Sequence, residues 1–233
     1  MRNTTSAIAV LLIGLLISEA RGEYILNGSF ENHTGSGFLI NISNDFYNRI
    51  MSDSIAFGAA NEIDLYPNSN PAFQVAAYDG NWQVGLHSDI FGSVDALSLL
   101  LSSPLTSGGN YTLRLHSILF GIPGSAPAFP GNFEVGLSTD PFDFGTTIFT
   151  GAATSNSMWT DFETDFVAPN DGEYITLRMV STQEYYATFD AFSLVDAAPR
   201  ASEVPEPASL ALWSLMSVIG VAGWRRKSIR WVV

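Results

Sequence analysis

Three acidic residues alternate along one short segment and form the most regular set of reactive groups in the chain. Asp161, Glu163 and Asp165 lie two residues apart, so a β-strand here would place all three on one face, opposite Phe162 and Phe166. Successive members would stand about 6.5–7 Å apart, a separation found between the two carboxylates of inverting glycosidases. Catalytic carboxylates normally face each other from different strands, however. A solvated acidic face is therefore the preferred interpretation, and a metal-binding face is the alternative.

Other reactive residue types lack the spacing that enzymes require. His33, His87 and His116 are scattered, and no His-Glu-x-x-His, Gly-x-Ser-x-Gly, P-loop or dinucleotide pattern occurs. The absence of cysteine excludes disulfides, a cysteine nucleophile and thiolate metal sites. We therefore expect a protein that is not an enzyme, and these residues indicate no definite cofactor.

Aromatic side chains are the usual platform for sugars, because a flat ring stacks on the apolar face of a pyranose. Trp159 follows a polar stretch and is a candidate for an exposed position. Tyr185 and Tyr186 are adjacent, so a strand would point them to opposite faces and leave one outside. Trp82 alternates with apolar residues and is expected in the core. The remaining aromatic candidates are Tyr78, Phe46 and Tyr47.

Alternation of apolar and polar residues predicts that the body of the chain, residues 23–200, is one antiparallel β-sandwich of jelly-roll type. Short turns rich in glycine, asparagine and aspartate separate the alternating segments. We expect two irregular loops, at 121–131 and 44–71. The segments predicted as strands are 82–86, 97–101, 111–115, 133–137, 162–166, 175–179 and 190–194.

Acidic residues dominate this body. Residues 23–200 contain twenty acidic residues and four basic ones, and the whole chain has a formal net charge of −13. Such a surface repels the phosphates of nucleic acids, so no nucleic-acid partner is expected. It favours solubility and attracts divalent cations. A solvated surface is the simpler interpretation, and a dedicated store of cations is the alternative.

The N-terminal end has the features of a segment for export. Arg2 precedes an apolar run at Ala7–Ile17, and Ser18-Glu19-Ala20 offers small residues for signal peptidase. The run is too short to span a bilayer. Residues 1–22 are therefore predicted to be a signal peptide that forms an N-terminal signal helix.

The C-terminal end, residues 201–233, has the features of a membrane anchor. Pro205, Glu206 and Pro207 precede an uncharged apolar run at 208–224, which predicts a single transmembrane helix. The basic cluster that follows should stay in the cytoplasm and leave the body outside. Its residues are Arg225, Arg226 and Lys227.

Together these C-terminal features resemble the PEP-CTERM sorting signal, in which a Pro-Glu-Pro tripeptide, a short apolar helix and a basic cluster follow one another. The resemblance implies processing by an exosortase, in a Gram-negative-type bacterium that makes exopolysaccharide. One departure is the extra Ser228–Val233 after the basic cluster. A plain C-terminal anchor is the alternative.

The two ends of the body resemble galactose-binding-like jelly rolls, which include several carbohydrate-binding modules. Ile25–Glu31 looks like their opening strand, and Thr188–Val195 looks like the closing strand with which it pairs. The resemblance implies a structural Ca²⁺ between these strands, with Glu31 and Asp190 as the matching acids and Asn27 as a further contributor. The alternative is that both acids sit at strand ends and bond local amides.

These observations favour an exported, exosortase-sorted protein that is first anchored in the inner membrane and then moves to the cell surface or extracellular matrix. It is expected to be non-enzymatic and to bind carbohydrate such as exopolysaccharide, with calcium as its candidate ion. The alternatives are an extracellular glycan-cleaving enzyme with paired carboxylates and a purely structural surface protein.

Overall fold

The computed structural model describes residues 22–68, 75–119, 130–180 and 184–198. Backbone contacts divide the chain after Ala197 into two units, and every strand named below lies in the first. Within the described ranges, no helix has the length and apolar character needed to cross a membrane. Outside those ranges lie the signal segment, the Pro-Glu-Pro tripeptide, the apolar run 208–224 and the basic cluster.

Eleven β-strands and one short α-helix make up the described part of the chain. Helix α1 (Asn44–Ile50) begins at Ser43, whose side chain accepts a hydrogen bond from the backbone of Phe46. All neighbouring strands are antiparallel. The six-stranded sheet has the order β1 (Leu39–Ile42), β3 (Ile63–Pro67), β4 (Trp82–Ser88), β11 (Tyr185–Asp196), β6 (Asn110–Leu119) and β9 (Thr160–Val167). The five-stranded sheet has the order β2 (Ser54–Ala56), β5 (Ala96–Leu100), β10 (Tyr174–Met179), β7 (Gly131–Ser138) and β8 (Thr146–Ala153).

The two sheets form a β-sandwich, because each turns its apolar side chains towards the other. Phe133 on β7 lies edge-on to Phe189 on β11 and to Phe162 on β9, with ring centroids 5.0 and 5.2 Å apart. Its ring also fills the space beside Gly151 on β8, where a side chain would collide with it. Burial of these inward faces is the main stabilising contribution to the fold.

The mostly β architecture and its two antiparallel sheets confirm the class of fold predicted from the alternating pattern. Six of the seven predicted strand segments lie within observed strands, and the seventh, 97–101, extends one residue beyond β5. The predicted irregular loop at 44–71 is wrong, because its described part contains α1, β2 and β3. Helix α1 has two turns and β2 has three residues, which is too short to produce a clear periodicity, and β3 has only two alternating apolar residues, Ile63 and Leu65.

The opening segment pairs with the closing strand but is not itself a strand. Tyr24 donates its backbone N–H to Leu194 at 2.9 Å, and Phe192 donates to Gly28 at 3.0 Å. Ile25 forms an isolated bridge to Leu101 in the other sheet, and a turn follows at 26–29. The expected strand at Ile25–Glu31 is therefore replaced by a bridge and a turn that link the two sheets.

Candidate functional site

The side of the six-stranded sheet that points away from the core carries a polar and aromatic surface, here called the outer face. It is formed by the residues that alternate with the buried apolar ones on β3, β4, β11, β6 and β9. Its central members come from β3, β4 and β11. They are Asp64, Tyr66, Gln83, His87, Tyr186, Thr188 and Asp190. All of them except Tyr186 are buried, so the exposed parts of the outer face lie at its two ends.

One end of the outer face carries a stack of Tyr186 on His87. The two residues are paired across β11 and β4, and their ring centroids are 4.4 Å apart at an interplanar angle of 25°. Nδ1 of His87 lies 3.4 Å from a carboxylate oxygen of Glu62, whose side chain is 42% exposed. Burial raises the pKa of Tyr186, and nearby carboxylates add to the effect. This end therefore combines the half-buried ring of Tyr186 with the exposed carboxylate of Glu62, which can accept hydrogen bonds.

A buried carboxylate lies beside this stack, on β3. Asp64 accepts a hydrogen bond from the hydroxyl of Tyr66 and another, of 2.6 Å, from the backbone N–H of Asn41. Burial raises the pKa of Asp64 to about 6, although both hydrogen bonds act in the opposite direction. Gly85 is required opposite Asp64, because any side chain there would meet the ring of Tyr66 at 2.8 Å.

The other end of the outer face carries a second aromatic group. Tyr78 stacks on His116 with ring centroids 3.4 Å apart, and its ring is 6.2 Å from that of Trp159 in an edge-on arrangement. Tyr78 is 48% exposed. The indole N–H of Trp159 donates to the carbonyl of Ala76 at 2.9 Å. Tyr78 and Trp159 therefore offer ring surface to solvent from fixed positions.

Two carboxylates hold the segment that carries Tyr78, here called the 78–82 turn. Asp190 is fully buried on β11 and accepts the backbone N–H of Asp79 at 2.9 Å. Glu31 accepts the backbone N–H groups of Asn81 and Trp82 at 2.6 and 2.7 Å. Carboxyl oxygens are good acceptors and the Glu31 carboxylate makes strong hydrogen bonds, so these contacts fix Tyr78 over the sheet.

The predicted calcium site would use the same two acids, Glu31 and Asp190. Burial raises the pKa of Asp190 to about 7, and both of its oxygens accept backbone N–H groups. Glu31 and Asn27 line a cleft of about 610 Å³, but Asp190 does not. Within the described residues, no group of three or more histidine, aspartate or glutamate side chains is placed to hold a metal. Calcium needs six to eight oxygen ligands, so calcium binding here stays a prediction. The hydrogen bonds from backbone N–H groups to Glu31 and Asp190 are observed.

The acidic row on β9 is placed as predicted, with Phe162 turned inward and the acids outward. Each acid faces a polar partner on β6. Asp161 lies 3.2 Å from Nε2 of His116, and Glu163 lies 2.8 Å from Nε of Arg114. Asp165 accepts the hydroxyl of Thr112 at 2.7 Å. This row is a ladder of cross-strand pairs and does not present the facing carboxylates that a glycosidase needs.

The structure separates the three predicted ligand-binding residues. Tyr186 and Trp159 lie towards opposite ends of the outer face, whereas Tyr185 packs against the core and its hydroxyl accepts the N–H of Asn132. The adjacent tyrosines therefore do point to opposite sides. Sequence reasoning missed His87 and His116 as partners of the aromatic rings, because their pairing depends on strands far apart in the chain.

The fold is a β-sandwich of jelly-roll type, and the comparison with solved structures agrees with this class. No protein-family model matches the chain, and the search of curated proteins finds no match. A Stig cyclase, Fisc, from Fischerella sp. TAU is 14% identical, with a TM-score of 0.51. The match covers 78% of this chain and 100% of the cyclase. A likeness at this identity concerns the fold alone.

The similar structures include carbohydrate-binding modules. TmCBM61, solved in complex with β-1,4-galactotriose, is 16% identical with a TM-score of 0.48, over 76% of this chain and 99% of that one. A family 16 carbohydrate-binding module is 17% identical with a TM-score of 0.42, over 74% of this chain and 99% of that one.

We predict that the stability of the protein falls as pH rises from about 4 to about 7, partly because of Asp64. Its pKa in the folded protein, about 6, lies above the ordinary value of 3.8. Between these values the folded state holds more protons than the unfolded state, so raising the pH lowers the free energy of unfolding. The contribution of this group is at most about 3 kcal/mol.

Urea unfolding of the wild type and of Asp64→Asn at several pH values measures this contribution. Asparagine keeps the size of the side chain and cannot ionise, so its curve against pH should be flatter. Equal pH slopes for the two proteins would show that Asp64 has an ordinary pKa.

We also predict that Glu31→Ala lowers the free energy of unfolding by about 0.5–1.5 kcal/mol, because two exposed backbone N–H groups of the 78–82 turn exchange their carboxylate acceptor for water. Thermal unfolding with added calcium and with EDTA separates the two interpretations of this site. A calcium-dependent rise in Tm that Glu31→Ala abolishes would establish the ion. A Tm that is the same in calcium and in EDTA would show that Glu31 acts only through its hydrogen bonds to backbone N–H groups.

Proposed function

We propose that this protein is an exported, non-enzymatic bacterial surface or matrix protein whose outer face binds a neutral polysaccharide. The observation that carries the binding proposal is the pair of aromatic stacks, Tyr186 on His87 and Tyr78 on His116, on one face of one sheet. Aromatic rings with a polar handle are well suited to a ligand that is apolar on one side and hydroxylated on the other.

The distance between the two stacks favours a chain of sugars over a single sugar. Tyr186 and Asp190 are four residues apart on β11, which is about 13 Å along a strand. His116 is paired with Asp190 on the neighbouring strand β6, so the second stack lies beside that position. A short oligosaccharide of comparable length would contact both stacks, with Glu62 and Asp161 as exposed acceptors for its hydroxyl groups.

The charge of the body supports a neutral ligand over an acidic one. Twenty acidic residues against four basic ones in residues 23–200 give a surface that repels uronic acids and sulfated sugars. The acidic row on β9 forms one margin of the outer face and adds to this repulsion. A neutral exopolysaccharide therefore fits the face better than an anionic one.

The location proposed for the protein rests on its two ends, which lie outside the described residues. The Pro-Glu-Pro tripeptide, the apolar run and the basic cluster support sorting by an exosortase after export through signal peptidase. The protein would first be held in the inner membrane and would then reach the cell surface or matrix. Calcium bound near Glu31 remains a further part of this proposal.

We predict that Tyr186→Ala weakens binding to a neutral polysaccharide about tenfold, because one stacking surface worth roughly 1–1.5 kcal/mol is lost. Affinity electrophoresis against a panel of neutral and acidic polysaccharides measures the effect. Tyr174→Ala is the matched control, since Tyr174 lies on β10 in the other sheet. No retention of the wild type on any polysaccharide would remove the binding proposal, and release of new reducing ends would favour the enzyme alternative.

Mass spectrometry of the mature protein tests the sorting proposal. We expect cleavage beside Pro205–Pro207 in a strain with an active exosortase, and an uncleaved C-terminus when the exosortase is deleted. The same uncleaved C-terminus in both strains would favour a plain membrane anchor.

A further inference from the structure

A β-sandwich of two open sheets has four edge strands, and each edge offers unpaired N–H and C=O groups to other chains. The edges here are β1 and β9 in one sheet and β2 and β8 in the other. Natural proteins usually obstruct such edges with charges, irregular backbone or a covering element. Three of these four edges are strongly obstructed in this way, and the fourth, β8, carries a single bulge.

The edge at β2 is closed by helix α1. Asn48 accepts the backbone N–H of Ala56 at 2.6 Å and donates its side-chain amide to the carbonyl of the same residue at 3.0 Å. A single side chain thus occupies the positions that a neighbouring strand would use. The hydroxyls of Tyr47 and Ser54 are also hydrogen-bonded, at 3.0 Å, and tie the helix to this strand.

The two edges of the six-stranded sheet are obstructed in other ways. Strand β1 has four residues, its register with β3 is irregular, and Asn41 has a positive φ of 49°. Strand β9 carries three carboxylates, at Asp161, Glu163 and Asp165, and a second acidic copy of this edge would be repelled.

Strand β8 carries fewer obstacles than the other three edges. It has eight residues, Thr-Thr-Ile-Phe-Thr-Gly-Ala-Ala, with no charge and no proline. Among the described residues it is hydrogen-bonded to β7 alone, with one bulge at the level of Phe149 and Thr147. Thr146, Thr147 and Thr150 are exposed. Strands β1 and β2 are also uncharged but have only four and three residues, so β8, at about 26 Å, is the longest uncharged edge.

We propose that β8 is a self-association surface, on which β8 of a second copy pairs in antiparallel fashion about a two-fold axis. An isologous contact places the same uncharged strand on both sides, so no carboxylate is brought between the strands. Cross-strand pairs of threonine and β-branched residues stabilise such a pairing. The body otherwise repels a second copy, so the neutral strand is the place where two copies can approach.

The size of the contact predicts a weak, reversible dimer. One pair of eight-residue strands buries less than the roughly 1,600 Å² of a standard stable interface. We therefore expect micromolar or weaker affinity, which becomes effective where the protein is concentrated on a surface. Because both bodies are acidic, added salt should strengthen the dimer by screening their repulsion. This self-association is independent of the proposed sugar binding.

Sedimentation velocity of the full chain in a mild detergent, from micromolar to submillimolar protein and at low and high NaCl, tests the proposal. We expect a concentration-dependent dimer that Thr147→Asp/Thr150→Asp weakens at least tenfold. Ser36→Asp/Thr106→Asp adds the same charge at exposed positions elsewhere and should leave the dimer unchanged. Circular dichroism checks that both variants remain folded. The wild type and both variants share the same C-terminal segment, residues 201–233. Any association through that segment would therefore be equal in all three proteins.

The natural absence of cysteine provides a second measurement. Single variants Thr147→Cys, Thr150→Cys and Ala152→Cys should form disulfide-linked dimers to different extents, because a disulfide requires Cα atoms about 4.4–6.8 Å apart and only one position lies nearest the two-fold axis. Thr106→Cys is the control and should remain monomeric. Cross-linking that is as efficient at Thr106 as on β8 would overturn the proposal. A chain that stays monomeric under all conditions would also overturn it, and would leave a strand from another protein as the occupant of this edge.

Discussion

The geometry of the outer face depends on one buried carboxylate. Asp190 lies at the centre of the six-stranded sheet, and its hydrogen bond from Asp79 joins the 78–82 turn to β11. An ionised or neutral carboxyl group in such a place is tolerated only when its hydrogen bonds are satisfied. Because this turn carries Tyr78 towards His116, the position of one aromatic stack follows from a contact more than a hundred residues apart in sequence.

Hydrogen bonds from backbone N–H groups to carboxyl groups also join the first and last parts of the body. Glu31, at the end of the opening segment, holds Asn81 and Trp82, while Glu23 accepts the backbone N–H of Leu194 at 2.7 Å. Three carboxylates thus fasten the opening segment, the 78–82 turn and β11 to one another. A chain without disulfides obtains this fastening from charged acceptors and backbone donors.

The alternating pattern of the sequence was sufficient for seven strands with at least three alternating apolar positions, because one buried face per strand produces a period of two. It failed for α1 and β2, which are short, for β3, which has only two alternating apolar residues, and for β8, where Ile148 and Phe149 are adjacent. The aromatic candidates Tyr186 and Trp159 could be named from residue type. Their partners could not, since Tyr186 and His87 meet only through the register of β11 against β4.

The central position of β11 also determines how the sandwich responds to tension. The chain leaves the described domain through this strand, which is hydrogen-bonded to β4 on one side and to β6 on the other. A pull applied through the residues beyond Asp196 therefore loads two ladders at once and in shear, so many bonds must break together. An edge strand in that place would be peeled away one bond at a time. A load applied at this end of the domain would therefore act on a strand that is held on both sides.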